Sequence, residues 1–158
     1  MQLLASRECG RPPIDEQKVN DSPRSDHAPP VDERVGAMRG SAFFQDVPQR
    51  ELEAIAARLT LRRFDQGAPI VTEGNEGDAC YLMRKGEAVV VSPDVVGHEV
   101  RLATLGPGTL FGETALVRAG RRSATVRALR PVEAYVLRRA DFHRRAARLS
   151  PLVLLATA

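Results

Sequence analysis

Between Thr60 and Val136 the chain is a series of short apolar runs, many of them cut off within a few residues by a glycine or a proline. "PIVTE" gives way to Glu73-Gly74-Asn75-Glu76-Gly77, "ACYLM" to Lys85-Gly86, and "EAVVVS" to Pro93. Several of the runs also alternate. Val100 and Leu102 fall on one side of residues 99–104, with Glu99 and Arg101 on the other. Ala124, Val126 and Ala128 alternate with Thr125 and Arg127, and Val132, Ala134 and Val136 repeat the pattern. Many short strands at roughly 8–12-residue spacing favour an antiparallel sandwich or barrel over a parallel sheet. Helices are expected at both ends. Pro48 suits a first helical position, and Leu52, Ile55, Ala56 and Leu59 recur on one helical face. Phe142, Ala146 and Leu149 share another, before Pro151 breaks the chain into the apolar "LVLLATA".

The remaining composition narrows the class. A chain of 158 residues suits one domain. Aromatics are 4% and Trp is absent, so the core must be built from Leu, Val, Ile, Ala and a few Phe. Residues 1–41 hold five of the eleven prolines, no aromatic and thirteen charged residues of mixed sign. Such a segment buries too little apolar surface to offset its ordering entropy, which predicts a disordered leader over 1–41 and one domain over 42–158. Cys9 and Cys80 form no C-x-x-C and have no histidine at ligand spacing, so neither zinc nor a disulfide framework is expected. "MQLLAS" is too short for a signal peptide, and no apolar run approaches the ~18 residues of a membrane span. A soluble, cytoplasmic protein is the expectation.

Chemistry concentrates in "FGETALVRAGRRSATV", Phe111–Val126. "GETALVRA" reads as a short helix beginning after Gly112, between two strand regions. A helix start presents unpaired N–H groups and the positive end of the peptide dipoles, which suits an anion. Gly112 carries no Cβ to hold a ligand away from the backbone. Arg122 adds a planar fork of donors that fits phosphate oxygens. Glu113 is out of place beside an anion unless the ligand also carries hydroxyl donors next to its phosphate, as a ribose does. Taken singly, Arg122 reads equally as a solvated arginine and Glu113 as a residue favoured by the helix dipole.

With its flanks, this stretch resembles the phosphate-binding cassette of the cyclic nucleotide-binding domain family. That family includes catabolite activator proteins, cyclic-nucleotide-dependent kinases and cyclic-nucleotide-gated channels. Its pattern is roughly F-G-E-x-(A/S)-L, a short helix, then P-R-x-A-x-V. The resemblance extends over residues 42–149 through "RELEAIAARL", "GAPIVTEGNEGDACYLMRKGEAVV" with Gly74, Gly77 and Gly86 at turn positions, and "LGPGTLFGE". It implies a mainly β jelly roll, a double-stranded β-helix with flanking N- and C-terminal helices. It also implies a ligand, cAMP with cGMP as the alternative, rather than a resident cofactor. Glu113 becomes the ribose partner and Arg122 the phosphate partner. Gly112, Thr114 and Ala115, beside Phe111, become the backbone cradle, with Ser123 and Ala124 as the following phosphate and base contacts. Serine rather than threonine at position 123 implies that cAMP binds at least as well as cGMP. By the same analogy, ligand draws the cassette helix inward, Leu116 repacks, and residues 140–158 shift with it.

Three departures stand out. Arg121 replaces the usual proline, Thr114 replaces a commonly apolar residue, and the sequence ends at Ala158, where the family's closing helix is expected to be short. The implied protein is a non-catalytic sensor whose partners are a cyclic nucleotide and a protein partner or fused effector domain. Two alternatives stand beside it: a nucleotide-silent docking module, and a truncated effector domain of a transcription factor. No Ser/His/Asp or Cys/His arrangement suggests catalysis. His98-Glu99 lacks the H-x-H of a metal-binding cupin, so no metal site is expected. Ten arginines between Arg118 and Arg148 face only Glu133 and Asp141, and read as a solvated or partner surface rather than a nucleic-acid site. Cys80, inside an apolar strand, reads as a small core residue.

Overall fold

The structure is a computed structural model and describes residues 29–146. Two helices, α1 (Val31–Arg39) and α2 (Gln49–Ala56), precede the strands. Then follow β1 (Thr60–Phe64), β2 (Pro69–Val71), β3 (Glu76–Gly77), β4 (Ala79–Lys85), β5 (Ala88–Pro93), β6 (Glu99–Leu105) and β7 (Leu110–Phe111). The short helix α3 (Thr114–Val117) leads to β8 (Gly120–Arg121), β9 (Thr125–Ala128), β10 (Val132–Arg138) and α4 (Arg139–Ala146). One sheet has the order β1-β10-β4-β7 and the other β2-β9-β5-β6, with β3 and β8 forming a small ribbon. Every strand pair is antiparallel. The fold is mainly β with flanking helices, as the strand spacing predicts.

The central strands β4 and β10 are buried on both faces, which is why "ACYLM" and "AYVL" are continuous apolar runs. Ala79, Tyr81 and Met83 of β4 and Ala134 and Val136 of β10 point into the sandwich, against Phe64, Ile70 and Val126. The alternate residues Cys80, Leu82, Tyr135 and Leu137 point outward and are covered by Val35, Met38, Leu52, Ile55, Leu116 and Phe142. The helices are therefore the second half of the core. Without them a row of large apolar side chains would face water.

This corrects the expectation of a disordered leader reaching residue 41. Residues 31–39 form a docked helix; residues 1–28 lie outside the described residues. The buried Arg34 donates through Nε to the Pro29 carbonyl at 2.7 Å and through Nη1 to those of Ala56 and Leu59 at 3.1 and 3.2 Å. Its charge thus meets the carbonyl end of α2, where the peptide dipoles are negative. Glu33 accepts from Arg84 Nε at 2.8 Å and from the Tyr135 hydroxyl at 3.2 Å, while Arg84 and Arg63 both bond Glu133. These partners are distant in sequence, so the composition of the first 41 residues carries no sign of them.

Two smaller differences follow. The predicted two-sided alternation over 99–104 does not bury either side. β6 is an edge strand with Val100 42% and Leu102 60% exposed, and the register slips opposite Val90 and Val91. In α2, Pro48 caps the helix and Gln49 is its first residue, one position later than expected. Within α4, Phe142 is buried as predicted, but Leu149 and Pro151 lie outside the described residues. Among the described residues, no helix is long and apolar enough to cross a membrane.

Candidate functional site

α3 and β8 sit where the chain leaves one sheet and has not yet entered the other, and they line a cavity of about 400 Å³. Gly77, Gly112, Glu113, Thr114 and Ala115 line one part, and Arg118–Ser123 the rest. Of the residues expected at the site, the structure brings together Gly112, Glu113, Thr114, Ala115, Arg122 and Ser123. Phe111 is not on the cavity wall. It is buried in β7 and stacks on Tyr81 with ring centroids 5.2 Å apart, so it anchors the strand that delivers Gly112. Ala124 is half-buried at the entry to β9 and also lies off the wall.

Arg122 is the organising side chain. Its Nη2 donates to the Ala79 carbonyl at 2.8 Å, and its Cζ lies 5.8 Å from the centroid of the Tyr81 ring. Its backbone is held on both sides, N–H to the Asn75 carbonyl at 2.8 Å and carbonyl to the Gly74 N–H at 2.9 Å. The guanidinium passes between two glycines. A Cβ on Gly112 would stand 2.7 Å from Nη1, and a Cβ on Gly77 2.8 Å from both Cζ and Nε. Gly112 is required twice over, since its φ of 74° is also disfavoured for any other residue. Buried Nε has no hydrogen-bond partner among the described residues. A buried donor without a partner is costly in a finished core, and is the expected state of a group meant for a ligand.

Glu113 occupies the position before α3 and is exposed at the cavity. Burial first, and the Glu113 charge second, push the Cys80 thiol up to about 12, while nearby Arg122 pulls it down. Cys80 is thus protonated and inert at neutral pH, consistent with its place in the core. Arg121, at the position where the family pattern has proline, is tied to the neighbouring turn. Its Nη1 donates to the Gly74 carbonyl at 2.7 Å, and β8 pairs Arg121 with Glu76 and Gly120 with Gly77. The ribbon β3-β8 therefore closes the loop before Arg122. Gly77 and residues 118–121 are the wall residues that sequence reading did not assign to the site. Gly77 was legible only as a turn glycine, and Arg118 carried no signal beyond its proximity to α3.

The His143 ring, on α4, meets the cassette from behind. Its Nε2 lies 2.6 Å from the Leu116 carbonyl, so the ring nitrogen donates to it. Leu116 itself is fully buried in the cluster that contains Phe142. One short helix is therefore in contact with the cavity on one side and with α4 on the other.

At the crossing between the two sheets the fold thus carries a cavity walled by a short helix and by an arginine set between two glycines. A family model described as the cyclic nucleotide-binding domain matches residues 61–148, and the chain belongs to that family. It is 37% identical over 105 residues to the Cyclic AMP receptor protein of Thermus thermophilus, covering 66% of this chain and 49% of that protein. It is 34% identical over 109 residues to a cAMP-dependent protein kinase regulatory subunit of Yarrowia lipolytica, covering 69% of this chain and 28% of the relative. The crystal structure of the Thermus thermophilus Catabolite Activator Protein superposes with a TM-score of 0.65 at 36% identity, covering 74% of this chain and 55% of that one. The chain therefore spans about half or less of the length of these relatives.

Proposed function

We propose that this chain is a non-catalytic sensor that binds a cyclic nucleotide, cAMP foremost, and passes the binding event to α4 and onward to an effector. The observation that carries the reading is Arg122: a guanidinium set between two glycines, with a buried Nε that has no partner among the described residues. The cyclic phosphate sits against Nε and Nη1 and the N–H groups at the start of α3, where charge-assisted bonds are strongest. Glu113 accepts from the ribose hydroxyl, and its charge disfavours ligands that carry a further phosphate there. Ser123, also on the cavity wall, is assigned to the base in this reading.

Signalling uses the shared position of α3. Ligand that draws Thr114 and Ala115 toward its phosphate also moves Leu116, and Leu116 carries the carbonyl that His143 holds. The ligand shifts the population toward whichever arrangement of α3 and α4 it binds better. The test is calorimetric titration of the full chain with cAMP and cGMP, on wild type and Arg122→Ala. Loss of one or two bonds to a charged group, about 1.5–3 kcal/mol each, predicts an affinity drop of about tenfold to a hundredfold or more. Wild type that binds neither nucleotide, or Arg122→Ala with full affinity, overturns the assignment.

A further inference from the structure

The charged side chains on the cavity wall do not balance. Arg118, Arg121 and Arg122 stand with a single carboxylate, Glu113, a surplus of two positive charges (three minus one). A cyclic phosphodiester carries one negative charge, so one positive charge is left over even when the cavity is filled. The three arginines are also held differently. Arg122 is half-buried, with Nη2 on the Ala79 carbonyl at 2.8 Å. Arg121 donates through Nη1 to the Gly74 carbonyl at 2.7 Å. The Arg118 side chain is exposed and has no hydrogen-bond or ion-pair partner among the described residues.

Arginines elsewhere on the surface are commonly paired. Arg63 and Arg84 bond Glu133, Arg127 bonds Glu99, and Arg130 and Arg138 each lie 3.6 Å from a carboxylate oxygen, of Glu87 and Asp78 respectively. Arg118 is placed by the end of α3. Its backbone is extended (φ −142°, ψ 149°), and its N–H donates to the Thr114 carbonyl at 3.1 Å. Ala119 and Gly120 follow without polar side chains, so this part of the wall offers an arriving anion the guanidiniums of Arg118 and Arg121. Of these two, only Arg118 is uncommitted. The less exposed Arg122 holds the buried Nε that awaits a partner.

We infer that Arg118 is the entry residue of the site: it draws the phosphate of an arriving nucleotide to the cavity mouth, from which Arg122 takes it over. This deepens, and rests on, the cyclic-nucleotide reading above. An exposed charge acts through water, so it alters how often the anion arrives more than how long it stays. At about 6 Å in water a unit charge is worth about a threefold change before screening. Salt shortens its reach, from ~30 Å at ~0.01 M to ~3 Å at ~1 M. Arg118 therefore sets the association rate at low salt and loses its effect at high salt, whereas Arg122 sets the dissociation rate.

Stopped-flow binding of a fluorescent cAMP analogue to the full chain tests it, at ~0.01 M and ~1 M salt, with circular dichroism to confirm folding. Arg118→Gln is expected to slow association about twofold to threefold at low salt, and Arg118→Glu about fivefold to tenfold, with dissociation unchanged. Both differences vanish at high salt, and Arg118→Lys keeps the wild-type rate. If the dye is excluded from the cavity, calorimetric affinity for cAMP itself carries the same losses, since dissociation is unchanged. Association indifferent to Arg118→Glu, a loss confined to dissociation, a loss that survives high salt, or Arg118→Lys as slow as Arg118→Gln overturns the inference and leaves the cyclic-nucleotide reading standing. Wild type that binds neither the analogue nor cAMP overturns both.

Discussion

Replacing Gly77 by alanine puts a methyl carbon 2.8 Å from Cζ and Nε of Arg122 and 3.0 Å from Nη1. Contacts that short cannot persist, and the movable partner is the far end of the arginine, not the ribbon backbone. The guanidinium must withdraw from its slot, losing the Nη2 bond to the Ala79 carbonyl and turning its free donors away from where a phosphate would lie. One bond to a charged group is worth about 1.5–3 kcal/mol, so its loss should lower cAMP affinity about tenfold to a hundredfold. Folding should hardly change. Gly77 does not need a positive φ, and the gain from a less flexible unfolded chain, about 0.4–1 kcal/mol, offsets the single hydrogen bond lost. Calorimetry and a thermal melt on the same samples separate the two effects. If Gly77→Ala keeps full affinity while Arg122→Ala loses it, the guanidinium is not positioned by this slot. A large drop in melting temperature would instead make Gly77 a folding residue.

The buried Arg34 should matter to folding and not to ligand. Arg34→Ala strands the carbonyls of Pro29, Ala56 and Leu59 and should cost about 2–3 kcal/mol in urea denaturation, with nucleotide affinity unchanged. The acid limb of stability should depend on the Arg84 network. At Glu33 the Arg84 bond holds the carboxyl below its ordinary 4.5. At Glu133 burial pushes upward, but the bonds from Arg84 and Arg63 outweigh it, and this carboxyl too is held below 4.5. Groups whose pKa is lowered on folding stabilise fully above the unfolded value and lose that contribution as pH falls through the folded one. Melting temperature should therefore decline below about pH 4.5, and Arg84→Met should flatten the decline. Ser123→Thr should shift competition binding toward cGMP, because the added methyl restricts the hydroxyl's rotamer. A shift toward cAMP would show that position 123 does not set the choice.

The sequence by itself determined what depends on local order along the chain. Strand length and glycine spacing are local, so the antiparallel β class was legible. The cassette was legible for the same reason: Gly112, Glu113 and Arg122 lie within eleven residues, and a short helix between two strands brings them to one cavity.

Only the tertiary structure decided what depends on partners far apart in sequence. Residues 31–39 are helical because Arg34 reaches the end of α2 and Glu33 reaches Arg84 and Tyr135, and nothing within the segment announces those partners. Gly77 is a wall of the site because Arg122, forty-five residues later, lies against it. Val100 and Leu102 show the opposite limit. Their alternation is that of a half-buried strand, yet burial requires a covering layer, and among the described residues no element folds back over β6. Periodicity shows which side chains share a face; only the packing of the whole chain shows whether that face meets protein or water.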